Sequence, residues 1–292
     1  MLKTAICGWH QCDAETYRQA YDLFGGSVCT HPEVVCFLAA MQGKYLTWYS
    51  KKHNGKVIAV AYQANNSLCI YDKKYPFVFE DIILPFQPGV KCILPFRTKK
   101  LSPVNKGTCW NVLPDMFNQH KACHIKGSFS KKTAKKRNGE RNRFLRMGGE
   151  IIDICTLPSD TIADEYIRLF NLRWKGAINC FKKERLVETL DTLRTLLFGY
   201  ILYIDGKIVA LDLIFKAESK PWVYMDDING GYDPNYNHLS VGSVLLWENI
   251  CRAKDYCNSN NKELIFSLGS FRKEWDYKKA WCDIKPLGRV LI

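Results

Sequence analysis

Ser240, Gly242 and Ser243 precede a run, Val244-Leu-Leu-Trp-Glu-Asn-Ile-Cys251, that is nearly all apolar and reads as a buried helix. The first-turn amides of such a helix are unpaired, its dipole is positive at that end, and a glycine lets an anion approach the backbone. A phosphate-bearing ligand is what this arrangement would hold. The other reading is an ordinary serine cap on a core helix. No GxxxxGK[ST] loop occurs. A second stretch, Lys126 to Arg146, holds Lys131, Lys132, Lys135, Lys136, Arg137 and Arg141 among its basic residues, opposed only by Glu140. Ser130 would cap a helix there and Gly148-Gly149 would end it, with Gly139 the weak point. Such a helix would meet an anionic partner or simply face solvent. The adjacent acids Asp226 and Asp227 end the strand-like run Trp222–Ile228, where acids also serve as plain solvated turns. His31 beside Cys29 and Cys36, and His10 between Cys7 and Cys12, match no zinc spacing and have no partner pair downstream, so no metal is expected.

The elements that must position these residues begin with a repeat. Asn54-Gly-Lys-Val-Ile-Ala-Val-Ala-Tyr62 returns 151 residues later as Asp205-Gly-Lys-Ile-Val-Ala-Leu-Asp-Leu213. Asn-Gly and Asp-Gly between β-formers signal tight hairpins, because both turn positions need φ > 0. Each hairpin follows an aromatic helical pattern, Tyr17–Phe24 and Asp164–Phe170, so a helix-then-hairpin unit is used twice. The stretch 76–114, with six prolines, predicts irregular connections and edge strands. Gly230–Pro234 predicts a turn, Ser240 a helix start, and Glu263–Leu268 a strand. Three segments result: residues 1–125, a basic helical connector at 126–150, and 151–292.

Composition bounds what such a chain does. The 42 lysines and arginines against 29 acids give +13, a bias that nucleic acid, a phosphorylated ligand or an anionic membrane would each satisfy. A nucleic-acid-binding regulator finds little support: the basic block contains only Phe144 as an aromatic, and no helix-turn-helix pattern is evident. Thirteen cysteines, an odd number without a CxxC pair, read as reduced thiols and not as a disulfide scaffold. The opening Met-Leu-Lys-Thr-Ala-Ile-Cys-Gly-Trp predicts no signal peptide. Leu196–Phe215, interrupted by Asp205, Lys207 and Asp212, is a hairpin and not a membrane span.

The run from Phe198 to Trp281 resembles the C-terminal half of GCN5-related N-acetyltransferases of the envelope-modifying, FemAB-like type. The resembling motifs are Asp205-Gly-Lys-Ile-Val-Ala210, Ser240-Val-Gly-Ser-Val-Leu-Leu246 and Tyr277-Lys-Lys-Ala-Trp281, preceded by the basic Ser130–Arg137 stretch with Arg141. Over nearly its whole length the chain is also similar to the Mig family of enteric virulence proteins linked to resistance to cationic antimicrobial peptides. Gly25–Pro32, Ile83–Phe86, Leu197–Tyr200 and His238–Ser243 carry that likeness. With the repeat, these resemblances imply a mixed α/β (α+β) fold of two tandem acyltransferase-like sheets flanked by helices. They imply an acyl-CoA or aminoacyl-tRNA donor lying along Trp222–Asp227 with its phosphates at Ser240, Gly242 and Ser243. Asp226 or Asp227 would be the base, Tyr277 the proton donor, and Lys278 the partner of an anionic group. The loop R/Q-x-x-G-x-G/A of single-domain acetyltransferases is missing, which counts against coenzyme A itself, and FemAB-like relatives can take aminoacyl-tRNA instead. The implied acceptor is an anionic envelope precursor or lipid, met at the inner face of the cytoplasmic membrane by a peripherally associated cytoplasmic protein. A pseudoenzyme that keeps the fold as a binding module is the other outcome.

Overall fold

The computed structural model describes residues 2–65, 67–113, 115–117 and 119–291. In its first part, α1 (Leu2–Ile6) and β1 (Trp9–Cys12) lead into α2 (Ala14–Phe24) and α3 (Pro32–Met41), then the hairpin β2 (Leu46–His53) and β3 (Lys56–Ala64). Asp13 caps α2 by accepting the Thr16 amide at 2.7 Å. The apolar face of α2 lays Tyr17 and Tyr21 against the sheet β1-β2-β3, which is antiparallel throughout. Tyr17 donates to the Thr30 carbonyl at 2.8 Å, and its ring packs on Trp48. Buried tyrosines need such acceptors, since an unmade hydrogen bond in the core costs about 1–3 kcal/mol.

The proline-rich stretch is irregular as expected, yet it is core: Phe77, Phe79, Ile82, Leu84, Leu94 and Phe96 are all buried. Within it, isolated bridges replace regular strands, followed by the short α4 (Pro103–Lys106) and β4 (Val112–Leu113). Its last expected residue, Pro114, lies outside the described residues.

The second part carries the larger sheet. In chain order its elements are β5 (Lys121–Ile125), α5 (Lys131–Arg146), β6 (Glu150–Asp153), α6 (Ser159–Trp174), α7 (Lys183–Thr192), β7 (Leu197–Phe198), β8 (Tyr200–Ile204), β9 (Lys207–Glu218), β10 (Trp222–Tyr232), α8 (Val241–Ser259), β11 (Glu263–Ser270), α9 (Lys278–Trp281), β12 (Cys282–Pro286) and β13 (Arg289–Val290). The sheet runs β12-β5-β11-β10-β9-β8-β6, with β7 also on β9. It is mixed: β10 and β11 pair in parallel, and the other neighbours are antiparallel. Strand β5, from the first of the three sequence segments, is a full member of it.

The two hairpins match in detail. Asn54 and Gly55 have φ of 49° and 76°, Asp205 and Gly206 of 53° and 76°, so both turns are of the two-residue, positive-φ kind. Each hairpin also carries a register shift at the same distance from its turn, between Lys51 and Lys52 in one and Leu202 and Tyr203 in the other. Ile58 and Val209 are the extra residues, and they occupy the same place in the repeat.

One expectation fails here, and the serine-cap reading of Ser240 is not met. Gly230-Gly231-Tyr232 is strand, not turn: β10 absorbs an irregularity between Asp227 and Asn229 and stays paired with β9 through Tyr232. The glycines serve close packing, because a Cβ on Gly231 would lie 2.2 Å from the Leu169 carbonyl carbon of α6. Ser240 does not cap α8. It sits in the left-handed region (φ 57°), its side chain accepts no amide, and a 3-10 turn over Pro234–Leu239 leads into the helix.

Candidate functional site

The larger sheet opens where its parallel pair ends. Strands β10 and β11 are in register from Trp222 and Glu263 to Asp226 and Ser267. Beyond that point β10 stays with β9, whereas β11 turns to β5, pairing Ser270 with Ala122. The gap between Asp227–Gly231 and Leu268–Ser270 is a cleft of about 1000 Å³, closed at one end by the start of α8. Helix α6 forms a wall, because its tight seat on Gly231 brings Arg173 and Trp174 over the Gly230 carbonyl, to which both donate at 3.1 and 3.2 Å.

Six of the seven residues singled out for catalysis and donor binding line this cleft: Asp227, Tyr277, Lys278, Ser240, Gly242 and Ser243. Asp226 does not. Alternation along β10 turns it to the other face, 4% exposed, towards Asp81 of the irregular stretch. There Tyr224 donates to Asp81 Oδ2 at 3.0 Å, and His124 Nε2 lies 2.7 Å from the same oxygen. Burial, then the Asp81 charge, pushes the Asp226 carboxyl well above the usual carboxylate range. Facing the seam between the two parts and not the cleft, Asp226 is a poor candidate for a base.

Asp227 is half-buried and shares the cleft with Asp212 of β9, a residue that sequence reasoning passed over. Neither carboxylate has a hydrogen bond or ion pair among the described residues. Burial pushes Asp212 up to about 6, with Arg173 pulling the other way. Burial, followed by the Asp212 charge, raises Asp227 well above the carboxylate range. Two facing acids in one cleft cannot both ionise freely, so the pair holds a proton that a lone surface carboxylate would shed. The signal for Asp212 was available: it is a lone acid inside the apolar run Ile208–Phe215. Arg173, at the end of an ordinary-looking helix, gave none.

Tyr277 and Lys278 have the reverse of the exposure usual for their residue types. Tyr277 is 49% exposed and Lys278 6%. The Lys278 ammonium donates to the carbonyls of Leu268 and Ser270, at 2.5 and 2.9 Å, and lies 4.5 Å from the Trp275 ring centroid. Those carbonyls are the ones β11 would offer to β10 if the strands stayed together. Lys278 thus holds the splay open; it does not pair a fixed anion of the protein. Burial pushes its ammonium down, while the Cys123 and Cys282 thiols and the Asp227 and Asp226 carboxyls counter that shift.

At the floor, the Ser240 carbonyl accepts the amides of Ser243 and Val244 at 2.9 and 3.0 Å. The Val241 and Gly242 amides take no acceptor among the described residues. A Cβ on Gly242 would lie 3.1 Å from the Tyr232 ring, so the glycine makes room for that ring, whatever anion lies beyond.

The basic helix divides. Ser130 caps α5 by accepting the Thr133 amide at 3.2 Å, and Lys131, Lys132, Lys135 and Lys136 are exposed. Arg137 and Arg141 are spent inside the protein. Arg137 bonds Glu140 at 2.8 Å and stacks 4.4 Å over Trp281, and Arg141 pairs with the buried Glu248 of α8 at 2.9 Å. Arg141 docks α5 on α8, together with the Trp247 to Asn138 hydrogen bond at 2.8 Å, and Arg137 ties α5 to α9.

The Mig-14 family model matches residues 31–290. The chain belongs to the Mig-14 family. Among solved structures it is similar to FemX, at 8% identity and a TM-score of 0.61 over 97% of this chain and 97% of that one. L-PGS from Bacillus licheniformis, 11% identical, gives a TM-score of 0.53 over 96% of this chain and 91% of that one. At such identities the likeness is one of fold, and it extends over both parts of this Mig-14 chain. No curated protein matches it in sequence. None of its helices, among the described residues, is long and apolar enough to cross a membrane.

Proposed function

We propose that this protein is an acyl- or aminoacyl-transferase that modifies an anionic component of the bacterial envelope and so supports resistance to cationic antimicrobial peptides. The observation that carries this reading is the splay of β10 from β11 over the α8 N-terminus, with acids and a tyrosine in the gap. The polar arm of an acyl-CoA or the acyl-bearing end of an aminoacyl-tRNA fits such a gap. The free edge of β10 offers backbone partners, and the Val241 and Gly242 amides with the Ser240 and Ser243 hydroxyls offer an anion site. The donor supplies an activated carbonyl, as a thioester or an ester.

The protein's own groups do the rest. Asp227 takes the proton from the acceptor amine or hydroxyl, with the Asp212 charge beside it making it a stronger base than a lone carboxylate. Tyr277, exposed to the cleft and beside Arg173, returns a proton to the leaving oxygen or sulfur. Lys278 is a positioning residue that fixes the width of the gap. The exposed lysines Lys131, Lys132, Lys135 and Lys136 draw the protein to anionic acceptors at the inner face of the membrane.

The test is native mass spectrometry of the purified chain, followed by thermal-shift titration with acyl-CoA and with aminoacyl-tRNA. A shift with one donor, and donor-dependent transfer abolished by Asp227→Asn with the shift retained, supports the reading. Absence of a shift with either donor leaves a binding module on a transferase fold.

A further inference from the structure

One edge of the molecule exposes bulky apolar side chains that no part of the fold covers. Trp110 is 69% exposed and Ile93 43%, and they sit side by side because the Trp110 amide donates to the Cys92 carbonyl at 3.0 Å. Leu291, 48% exposed, joins them because its amide donates to the Asn111 carbonyl at 2.9 Å. Just beyond, on the turn Asp115–Phe117 that follows β4, Met116 and Phe117 are 82% and 56% exposed. A single exposed apolar residue needs no explanation, but five on one edge do.

The stretch of chain that carries them is strongly basic. Residues 91–126 contain seven lysines and arginines against one acid, Asp115. Lys91, Arg97 and Lys99 are exposed beside the patch. We propose that this edge seats on an anionic lipid bilayer, with Trp110, Met116 and Phe117 entering the boundary between headgroups and acyl chains and the basic side chains meeting lipid phosphates. Aromatic and flexible apolar side chains ringed by lysine and arginine suit that boundary, where one end is dry and the other wet. A second copy of the chain is a worse occupant, since a two-fold contact would bring two like-charged rims together. The first two turns of α5 differ: they present lysines with no exposed bulky apolar neighbour, so they attract a bilayer without entering it. The edge also leads to the cleft, because Lys100 of the same basic stretch pairs with Glu80 at 2.7 Å on the cleft wall. This inference deepens the membrane side of the function proposed above and rests on that reading for its occupant.

The experiment is co-flotation of the full chain with vesicles of phosphatidylcholine, alone or mixed with phosphatidylglycerol, at low and high salt. Wild type should bind only the mixed vesicles and keep part of that binding at high salt. The triple variant Trp110→Ser, Met116→Ser, Phe117→Ser should lose at least about tenfold in affinity, given the apolar area withdrawn. Its melting temperature should not move. Lys132→Glu, Lys135→Glu, Lys136→Glu should lower low-salt binding and spare the salt-resistant part. Lipids brominated on their acyl chains should quench wild-type tryptophan fluorescence, and Trp110→Phe should remove that quenching without removing binding. A triple variant that binds like wild type overturns the proposal, as does a wild-type dimer that the triple variant abolishes. Donor titration of the same triple variant separates the two readings: a retained thermal shift with failed vesicle binding assigns the patch to the membrane and leaves the cleft intact. No donor shift in wild type, with vesicle binding as described, ends the transferase reading alone.

Discussion

The two Asn/Asp-Gly-Lys hairpins have the same turn, the same register shift and opposite chemistry. In the first, Ala61 occupies the place that Asp212 holds in the second, and it is fully buried, opposite Tyr49 in the sheet. After the first hairpin the chain runs into irregular bridges, and β3 has no long partner strand on its far side. After the second, β10 adds to β9 and then leaves β11, which is how the cleft arises. A shared scaffold therefore fixes a shape and not a site. What makes the second copy chemically competent is an acid in an apolar strand, a pair of glycines that lets α6 approach, and a buried lysine that keeps two strands apart.

Moving the acid between the copies should break this comparison most sharply. Ala61→Asp would place a carboxylate beside Tyr49, its cross-strand partner, in a site closed to water. Burying an unpaired polar group costs several kcal/mol, on the order of 3–5 when the group is charged. The expected outcome is loss of cooperative folding, or a fall in melting temperature of about 10 °C or more, read by circular dichroism. A variant that melts like wild type would mean that the first sheet holds a cavity able to solvate the acid, and that the two copies are closer in kind than their packing suggests.

The extent to which the sequence was legible follows the same division. Both hairpins, α5 with its Ser130 cap, the β11 strand and the apolar core of α8 were readable, because local turn chemistry and periodicity determine them. The Gly230-Gly231 strand was misread as a turn because glycine has two uses, and the one that applies here depends on Leu169, about sixty residues away. The opposite aims of Asp227 and Asp226 follow from alternation once the strand is known, but which face meets the cleft is a tertiary fact. Arg137 and Arg141 looked like part of a solvated basic stripe; their partners Trp281 and Glu248 lie on elements that only the fold brings near. Lys278 and Tyr277 exchanged exposure because the β11 carbonyls, freed by the splay, require a buried donor.

A gentler probe is the acid already in place. The Asp212 carboxyl rises from 3.8 to about 6 on folding, so the folded state holds that proton more tightly. The stability it contributes is complete below about pH 4 and is lost as the pH climbs through about 6. Asp212→Asn removes this loss. Urea melts between pH 4 and 7.5 should show the variant gaining on wild type by up to about 2 kcal/mol, once the water in the cleft is allowed for. Parallel pH profiles for the two proteins would show that Asp212 does not share the cleft field with Asp227 and Arg173. The same substitution should shift the acid limb of any transfer activity, because Asp227 loses the neighbour that raises it.

The smallest effects separate two serines that the sequence treats alike. Ser130 and Ser240 each precede a helix, and each fits the N-cap preference by type. Only Ser130 has the geometry: φ is −61°, and the hydroxyl accepts the Thr133 amide. Ser240 is left-handed, and its hydroxyl faces the cleft and not the first turn. Ser130→Ala should lower stability by about 1 kcal/mol, the usual worth of a cap. Ser240→Ala should change it by less than about 0.5 kcal/mol, as for a side chain without a structural partner. The difference would register as a melting-temperature gap of about 2–4 °C in a chain of this size. Donor titration should then reverse the ranking: Ser130→Ala keeps any ligand-induced shift, and Ser240→Ala weakens it, because the hydroxyl it removes is one that the fold leaves free. If Ser240→Ala destabilises as much as Ser130→Ala, the serine caps α8 in solution after all, and the anion site loses one of its donors.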